Sequence, residues 1–185
     1  MEALEVMWSR VPAGCDSFDA VHETDADLDE IQAILDASHR AAGAHLRSIF
    51  RDQRRLDAAG VVELLPGVQI LSLATVTADG RPLVGPVDGL FYRGHFHFGS
   101  SPDSVRFRHL RARPHVSAAH VRGEELAVIV HGDAHEINTA APNQAGFRDY
   151  LVEVYGDEWN EWGPDSPYAR IDPRRMFAVW LPGTV

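Results

Sequence analysis

Cysteine is almost absent from this sequence of 185 residues, in which Cys15 is the only one. A single cysteine forms no intrachain disulfide and supplies no cluster of thiolates for a metal ion. The neighbours of Cys15 are proline, alanine, glycine and aspartate, which is the composition of a loop. An ordinary free thiol is therefore a better interpretation of Cys15 than a reactive one.

Long apolar runs are absent as well. No stretch approaches the roughly 20 apolar residues that a membrane-spanning helix needs. The first ten residues, MEALEVMWSR, lack the basic and apolar regions of a signal peptide. We therefore expect a cytoplasmic protein that does not bind membranes.

Positive charge is scarce and lysine is missing altogether. The 17 basic residues face 27 acidic ones, which gives a net charge of −10 and an isoelectric point near 5.4. Such a surface repels nucleic acids and anionic membranes, so neither is expected as a partner. The sequence also lacks GxSxG, GxGxxG and P-loop motifs, and with them the most recognisable hydrolase and nucleotide-binding sites.

The remaining composition is that of a globular domain, with 45% hydrophobic and 24% charged residues in a chain long enough for one sizeable core. Residues 1–66 are predicted to form an N-terminal arm and then helices that pack on the body of the domain. The arm, residues 1–24, has no sustained period. Helical spacing of apolar residues begins at Asp25, and a second helical run covers residues 44–58 after a break at Gly43.

Residues 67–185 show the pattern of strands. Alternating and β-branched runs predict strands at residues 68–77, 82–92, 95–99, 115–121, 125–137 and 175–181. Asp79 with Gly80, and Arg93 with Gly94, are typical of hairpin turns. Pro86 interrupts the second strand, so it should lie at an edge, at a bulge or where the sheet opens.

The order of these elements predicts a mainly β (α+β) fold. Six antiparallel strands form a small closed or nearly closed barrel, with peripheral helices at residues 101–114 and at 147–156. Residues 157–172 are expected to form a polar, aromatic loop. Residues 126–130 are apolar on both faces of their strand, so a homodimer is expected to cover the outside of the barrel.

Residues 99–114, GSSPDSVRFRHLRARP, are the centre of the functional prediction. Ser101 and Pro102 provide a cap and a first-turn proline, and Ser100, Ser104 and Arg106 are close to them in sequence. Unpaired N–H groups and the helix dipole favour an anion at such a helix start. A capped helix with a solvated basic face is the alternative, and it accounts for Arg106 less well than for the other arginines.

The segment LATVTADGRPLVGPVDGLFYRGHFHFGSSPDSVRFRHLRARPHVSAA resembles the pyridoxamine 5'-phosphate oxidase-like superfamily of split β-barrels. The resemblance covers residues 68–137, with a weaker echo in the last strand. Members of this superfamily bind FMN, the deazaflavin F420 or haem. The resemblance implies that a cofactor phosphate lies at Ser100, Ser104 and Arg106, and that a flavin ring lies along Gly85, Pro86 and Val87. The full set of cofactor-binding residues that it implies is Gly85, Pro86, Val87, Gly99, Ser100, Ser104, Val105, Arg106 and Trp180.

Two departures from the superfamily pattern bear on function. Arg106 stands where lysine is common, and it keeps the charge while adding a bidentate donor. Gly85 replaces the arginine of true pyridoxamine phosphate oxidases, so that particular activity is not implied. The resemblance implies a flavin- or deazaflavin-dependent oxidoreductase acting on an unidentified small organic substrate, with no catalytic side chain of its own.

Two further hypotheses stay open. One is a protein that binds or carries haem or another cofactor without turnover, and the other is a dimer of this fold that has lost its cofactor. Among the ten histidines, His95 with His97 and His131 with His135 share a strand face. No HExxH or comparable spacing accompanies them, so no metal site is predicted. Trp159, Trp162 and Tyr168 fit either a pocket wall or a loop packed on the rim of the barrel.

Overall fold

A computed structural model describes residues 22–163 and 166–181. The predicted N-terminal arm and the thiol of Cys15 lie largely or wholly outside these residues. The helices are α1 (Asp25–Ala41), α2 (Ala44–Ile49), α3 (Ala58–Leu64), α4 (Val105–Ala112), α5 (Ala145–Tyr155) and α6 (Trp159–Trp162), with 3-10 turns at Asp52–Arg54 and Pro142–Gln144. The strands are β1 (Val68–Val76), β2 (Pro82–Tyr92), β3 (His95–Gly99), β4 (His115–Arg122), β5 (Leu126–Ile137) and β6 (Tyr168–Trp180).

The six strands form the predicted closed antiparallel barrel, in the order β1-β2-β3-β6-β5-β4 with β4 pairing back to β1. Both predicted hairpin turns are confirmed. Gly80 has a φ of +83° between β1 and β2, and between β2 and β3 Arg93 and Gly94 have φ values of +49° and +81°. Two consecutive residues with positive φ match the right-handed twist of a two-residue hairpin.

The core lies inside the barrel. Every second residue of each strand points inward, as the pleat requires. Phe91, Phe96 and Phe98 from the strands and Phe107 from α4 are buried there with aliphatic side chains from the other strands. A second apolar cluster lies on the outside of β2, β3 and β6, where α5 packs with Phe147, Tyr150 and Leu151. No helix in the described part of the chain is long and apolar enough to cross a membrane.

Helix α1 closes another part of the outer surface. Thr24 and Asp27 form a capping box at its start, which satisfies two of the free N–H groups. Ile31 and Leu35 are buried against the barrel, and the hydroxyl oxygen of Ser38 accepts a hydrogen bond from the N–H of Met176 in β6 at 2.9 Å. This contact satisfies a β6 backbone group near the bulge in β6, where Arg174 has no partner residue in β5.

The apolar outer face of β5 has a partner within the chain. Ile129 lies beside Phe177 of β6, and Phe50 packs on Phe177 with a ring distance of 5.5 Å. The segment after α2 therefore covers part of the surface for which the sequence predicted only a second copy of the chain.

Two predicted elements were wrong in their extent. The helix expected at residues 44–58 ends at Ile49, because Arg55 pairs with Val179 as a β-bridge, and α3 then begins at Ala58. The loop expected at residues 157–172 contains α6 and the first residues of β6, which pair with β3 and β5. In both places contacts with distant strands outweigh the local pattern.

The bulge between β5 and β6 yields a stability prediction. A Cβ atom at Gly132 would collide with the carbonyl oxygen of Asp172 and lie 3.1 Å from Cα of Pro173, both backbone atoms. We expect Gly132→Ala to lower the free energy of unfolding by about 1–3 kcal/mol, measured by urea denaturation. Gly43→Ala is the control, because no atom lies within 4 Å of its Cβ position, and an equal loss in both variants would contradict the prediction.

Candidate functional site

A cleft of about 530 Å³ opens where β2 separates from β3, and α4 forms its opposite wall. Pairing of these two strands stops at Gly89 with Phe98, whereas β2 stays paired with β1 as far as Pro82. The residues that line the cleft are Leu73, Thr75, Leu83, Val84, Gly85, Ser100, Ser101, Asp103, Ser104, Val105 and Arg106. The cleft is thus a consequence of the split in the barrel.

The free edge of β2 supplies backbone groups to the cleft. The carbonyl of Pro86 points away from β1, because it accepts a hydrogen bond from Nη2 of Arg106 at 2.8 Å. Backbone groups alternate in direction along an antiparallel strand, so the N–H and C=O of Val84 and Asp88 face the same free edge. Pro86 has no N–H to leave unpaired, which confirms the prediction that it lies where the sheet opens.

Arg106 is the cation of the site. It is half-buried, its Nη1 lies 3.5 Å from the hydroxyl of Ser100, and no carboxylate within the described residues pairs with it. Burial lowers its pKa, but an arginine remains charged at physiological pH. A half-buried positive charge without a negative partner is costly, so an anion in the cleft would stabilise the site.

The start of α4 adds donors next to this cation. Ser104 is the N-cap, and its hydroxyl oxygen accepts a hydrogen bond from the N–H of Phe107 at 3.3 Å, which leaves its O–H free to donate. The N–H groups of Val105 and Arg106 have no backbone acceptor. The predicted cap at Ser101 was wrong: this residue precedes the helix in a turn, where its carbonyl accepts the N–H of Ser104.

Five of the predicted cofactor residues meet in the cleft, namely Gly85, Ser100, Ser104, Val105 and Arg106, and Pro86 reaches it through its carbonyl. The other three do not line it. Val87 is 1% exposed in the barrel core, because it follows Pro86 on the opposite face of the strand. Gly99 lies beside the ring of Tyr168, and Trp180 lies at the far end of β6, where Arg122 stacks on it.

The sequence did not predict several lining residues. Leu73 and Thr75 come from β1, and Thr75 is hydrogen-bonded at 2.9 Å to His109 of α4. Leu83 and Val84 are exposed apolar residues near the hairpin tip. Adjacent apolar residues near a turn weakly indicate a binding surface, and these two are not among the predicted site residues. Asp103 adds an exposed carboxylate to the lining of the cleft. It opposes an anion less than a buried acid would, because solvent screens it.

The histidine pairs do not form a metal site. Within the described residues no group of three or more His, Cys, Asp or Glu side chains is arranged to hold a metal ion. His97 stacks on Phe147 at 4.2 Å, and one ring nitrogen is bonded to the carbonyl of His95. Trp159 donates a hydrogen bond to the hydroxyl of Tyr168 within the cluster under α5, so these aromatic residues pack on the barrel and do not line the cleft.

The family model described as pyridoxamine 5'-phosphate oxidase matches residues 59–180, which contain the whole barrel and the cleft. The chain belongs to this family. The search of curated proteins finds no match. Membership in the pyridoxamine 5'-phosphate oxidase family therefore rests on the family model and on the split barrel, and it does not by itself assign a reaction.

Solved structures share the fold at low sequence identity. A conserved hypothetical protein from Mycobacterium tuberculosis has a TM-score of 0.59 at 19% identity, over 73% of this chain and 94% of its own. A FAD-binding protein from Mesorhizobium loti has a TM-score of 0.54 at 23% identity, over 68% and 94%. The haem storage protein HutZ from Vibrio cholerae has a TM-score of 0.53 at 20% identity, over 60% and 86%. At these identities the likeness establishes the fold alone.

The buried histidine generates a pH prediction. Burial lowers the pKa of His97 to about 3, below the ordinary value of 6.5. The unfolded chain therefore binds one more proton than the native protein between these values, so His97 lowers stability as the pH falls through this range. The loss is at most about 5 kcal/mol.

We expect His97→Gln to flatten the acid side of the stability curve, measured as the midpoint of urea unfolding from about pH 7 to about pH 4. The exposed His45→Gln serves as the control. An acid slope that is the same in His97→Gln and in the unsubstituted protein would contradict the assignment.

Proposed function

We propose that the protein is an oxidoreductase that holds FMN or F420 in this cleft and acts on a small organic substrate. The observation that carries the proposal is the position of Arg106. This half-buried cation lacks an acidic partner among the described residues and lies beside two serine hydroxyls and free N–H groups. A phosphate monoester or diester complements that set of donors.

The proposed division of labour follows the two walls of the cleft. Ser100, Ser104 and Arg106 would bind the phosphate through O–H and N–H donors. The free edge of β2 from Val84 to Pro86 would border the ring, and Leu73 and Leu83 would exclude water from one side of it. Hydride transfer is the chemistry that a flavin or deazaflavin supplies when bound, so the side chains need only orient the reactants and keep the site dry.

The lining of the cleft supports a phosphate ligand over haem. No histidine is among the lining residues, and His97 is enclosed by aromatic rings on the outside of the barrel. Gly85 supplies no second cation, which supports an activity other than that of the oxidases with arginine at this position. The visible spectrum of purified protein tests the cofactor: a flavin or deazaflavin band supports the proposal, and a Soret band or no uptake of added FMN and F420 contradicts it.

We also propose that the protein forms a homodimer through the uncovered outer face of β1, β2 and β4. On this face Ile70 is 49% exposed, Val84 is 63% exposed and Val121 is 59% exposed. Between them in register lie the small residues Ser72 and Ala119, so no large side chain stands out from this part of the face. A second copy would bury these side chains and extend the wall of the cleft near Val84.

Removal of the cation tests the phosphate site. We expect Arg106→Ala to weaken binding of FMN or F420 by about 10- to 100-fold, because one or two charge-assisted hydrogen bonds are lost. Arg108→Ala is the matched control, because Arg108 is an exposed arginine on the same helix and does not line the cleft. The readout is the dissociation constant from fluorescence titration. Equal affinities of the two variants would refute the assignment.

A charge on the uncovered face tests the dimer. We expect Val121→Arg to shift the protein from dimer to monomer, because a desolvated charge on each subunit destabilises an apolar interface. Light scattering after size exclusion measures the mass. Asp149→Arg on α5, outside this face, should leave the mass unchanged. A monomeric unsubstituted protein would contradict the proposal.

A further inference from the structure

Asp88 is a half-buried carboxyl in β2 that has no hydrogen bond or ion pair to any described residue. Most of the other acidic side chains in the described ranges are either paired with a cation or exposed, as Asp27 and Asp133 are paired with Arg93 and Arg174. Burial raises the pKa of Asp88, whereas the pKa values of those two paired acids are lowered. Partial burial of a carboxylate costs free energy when no group donates a hydrogen bond to it. We therefore expect Asp88 to have a partner that donates one.

The position of Asp88 is the point at which the barrel splits. It is the first residue of β2 beyond the last recorded pair with β3, Gly89 with Phe98. Across the split, Gly99 has no side chain, and Ser100 is the next residue and lines the cleft. Asp88 therefore lies beside the split, although it is not among the residues that line the cleft.

Asp88 also shares a strand face with a residue of the cleft. Side chains alternate along β2, so Val84, Pro86 and Asp88 point to the same side, and Val84 lines the cleft. Two residues of extended strand, about 6.6 Å, separate Asp88 from Pro86, whose carbonyl contacts Arg106. Arg106 and Asp88 thus lie along the same free edge of β2, and the side chain of Asp88 is on the outer face of the sheet beside Ile70.

The groups around Asp88 do not supply the missing donor. Tyr155 of α5 and Tyr168 of β6 are the titratable groups on which its negative charge acts, and the pKa of each is raised, chiefly by burial. The hydroxyl of Tyr168 accepts a hydrogen bond from Trp159. No charged side chain in the described ranges contributes to the shifted pKa of Asp88. Its environment within the chain is therefore neutral and aromatic.

We propose that Asp88 accepts a hydrogen bond from an N–H of the ring whose phosphate is held at Arg106. The inference rests on the function proposed above. Flavin and deazaflavin rings carry such an N–H between two carbonyl groups, whereas the edge of haem offers no equivalent donor. Asp88 is then a binding residue that fixes how far the ring enters the split, and it contributes to the choice of cofactor.

The experiment compares FMN affinity in four forms of the full chain: unsubstituted, Asp88→Ala, Asp88→Asn and Asp103→Asn. We expect Asp88→Ala to weaken binding by about tenfold or more, because a hydrogen bond to a charged acceptor is lost. Asp103→Asn is the matched control, since it removes the same charge from the exposed mouth of the cleft, and it should leave binding unchanged or tighten it.

The pH dependence separates this role from a structural one. As the pH falls toward the raised pKa of Asp88, the carboxylate takes up a proton and becomes a weaker acceptor. The ratio of unsubstituted to Asp88→Asn affinity should therefore fall toward one, while titration of the FMN phosphate cancels in the ratio. Asp88→Asn keeps the shape of the side chain, so it reports on binding even where Asp88→Ala folds poorly.

The outcomes distinguish the two proposals. If Asp88→Ala and Asp88→Asn bind FMN as the unsubstituted protein does while Arg106→Ala does not, Asp88 is not a ligand contact and the proposed function stands. If the unsubstituted protein binds neither FMN nor F420, both proposals are overturned. A loss of affinity in Asp103→Asn equal to that in Asp88→Asn would also overturn the role of Asp88, because it would indicate a general charge effect.

Discussion

The hydrogen bond from Arg106 to the carbonyl of Pro86 joins α4 to a strand that has lost one of its neighbours. A free strand edge exposes backbone groups that must find other partners. Proline at position 86 removes one unpaired donor, and the guanidinium group satisfies the matching acceptor. The split in the barrel is thereby stabilised without closing, and the remaining donors of the guanidinium group stay available to a ligand.

The charge distribution explains why Arg106 stands out in an acidic chain. Several other arginines are paired with carboxylates, as Arg93 is with Asp27 and Arg111 with Glu136. An excess of acids makes such pairing easy on the surface, where it contributes little to stability. Arg106 forms no such ion pair because its neighbours are the backbone of β2 and the hydroxyl groups near the start of α4. Arg106 therefore remains without a carboxylate partner among the described residues although the net charge is −10.

The parts that the sequence predicted depend on neighbouring residues. Turns with Gly80 and Gly94, alternating strands and the contiguous set from Ser100 to Arg106 are local patterns, and their geometry follows from spacing. The features that the sequence did not predict depend on residues that are distant in the chain. The bridge from Arg55 to Val179 ends a helical pattern, and Thr75 enters the cleft only because β1 pairs with the free part of β2. Val87, whose backbone is predicted to border the ring, has its side chain in the barrel core.

The two departures from the superfamily pattern, Gly85 and Arg106, are structurally linked. A Cβ atom at residue 85 would lie 3.3 Å from Nη2 of Arg106, a tight contact, so a longer side chain there would compete with the guanidinium group for space. Glycine at position 85 gives the arginine room to reach both Pro86 and Ser100. A lysine at position 106 would offer a single ammonium group and could not bridge the two in a fixed plane. The cleft thus keeps one cation, held in place by Pro86 and Ser100.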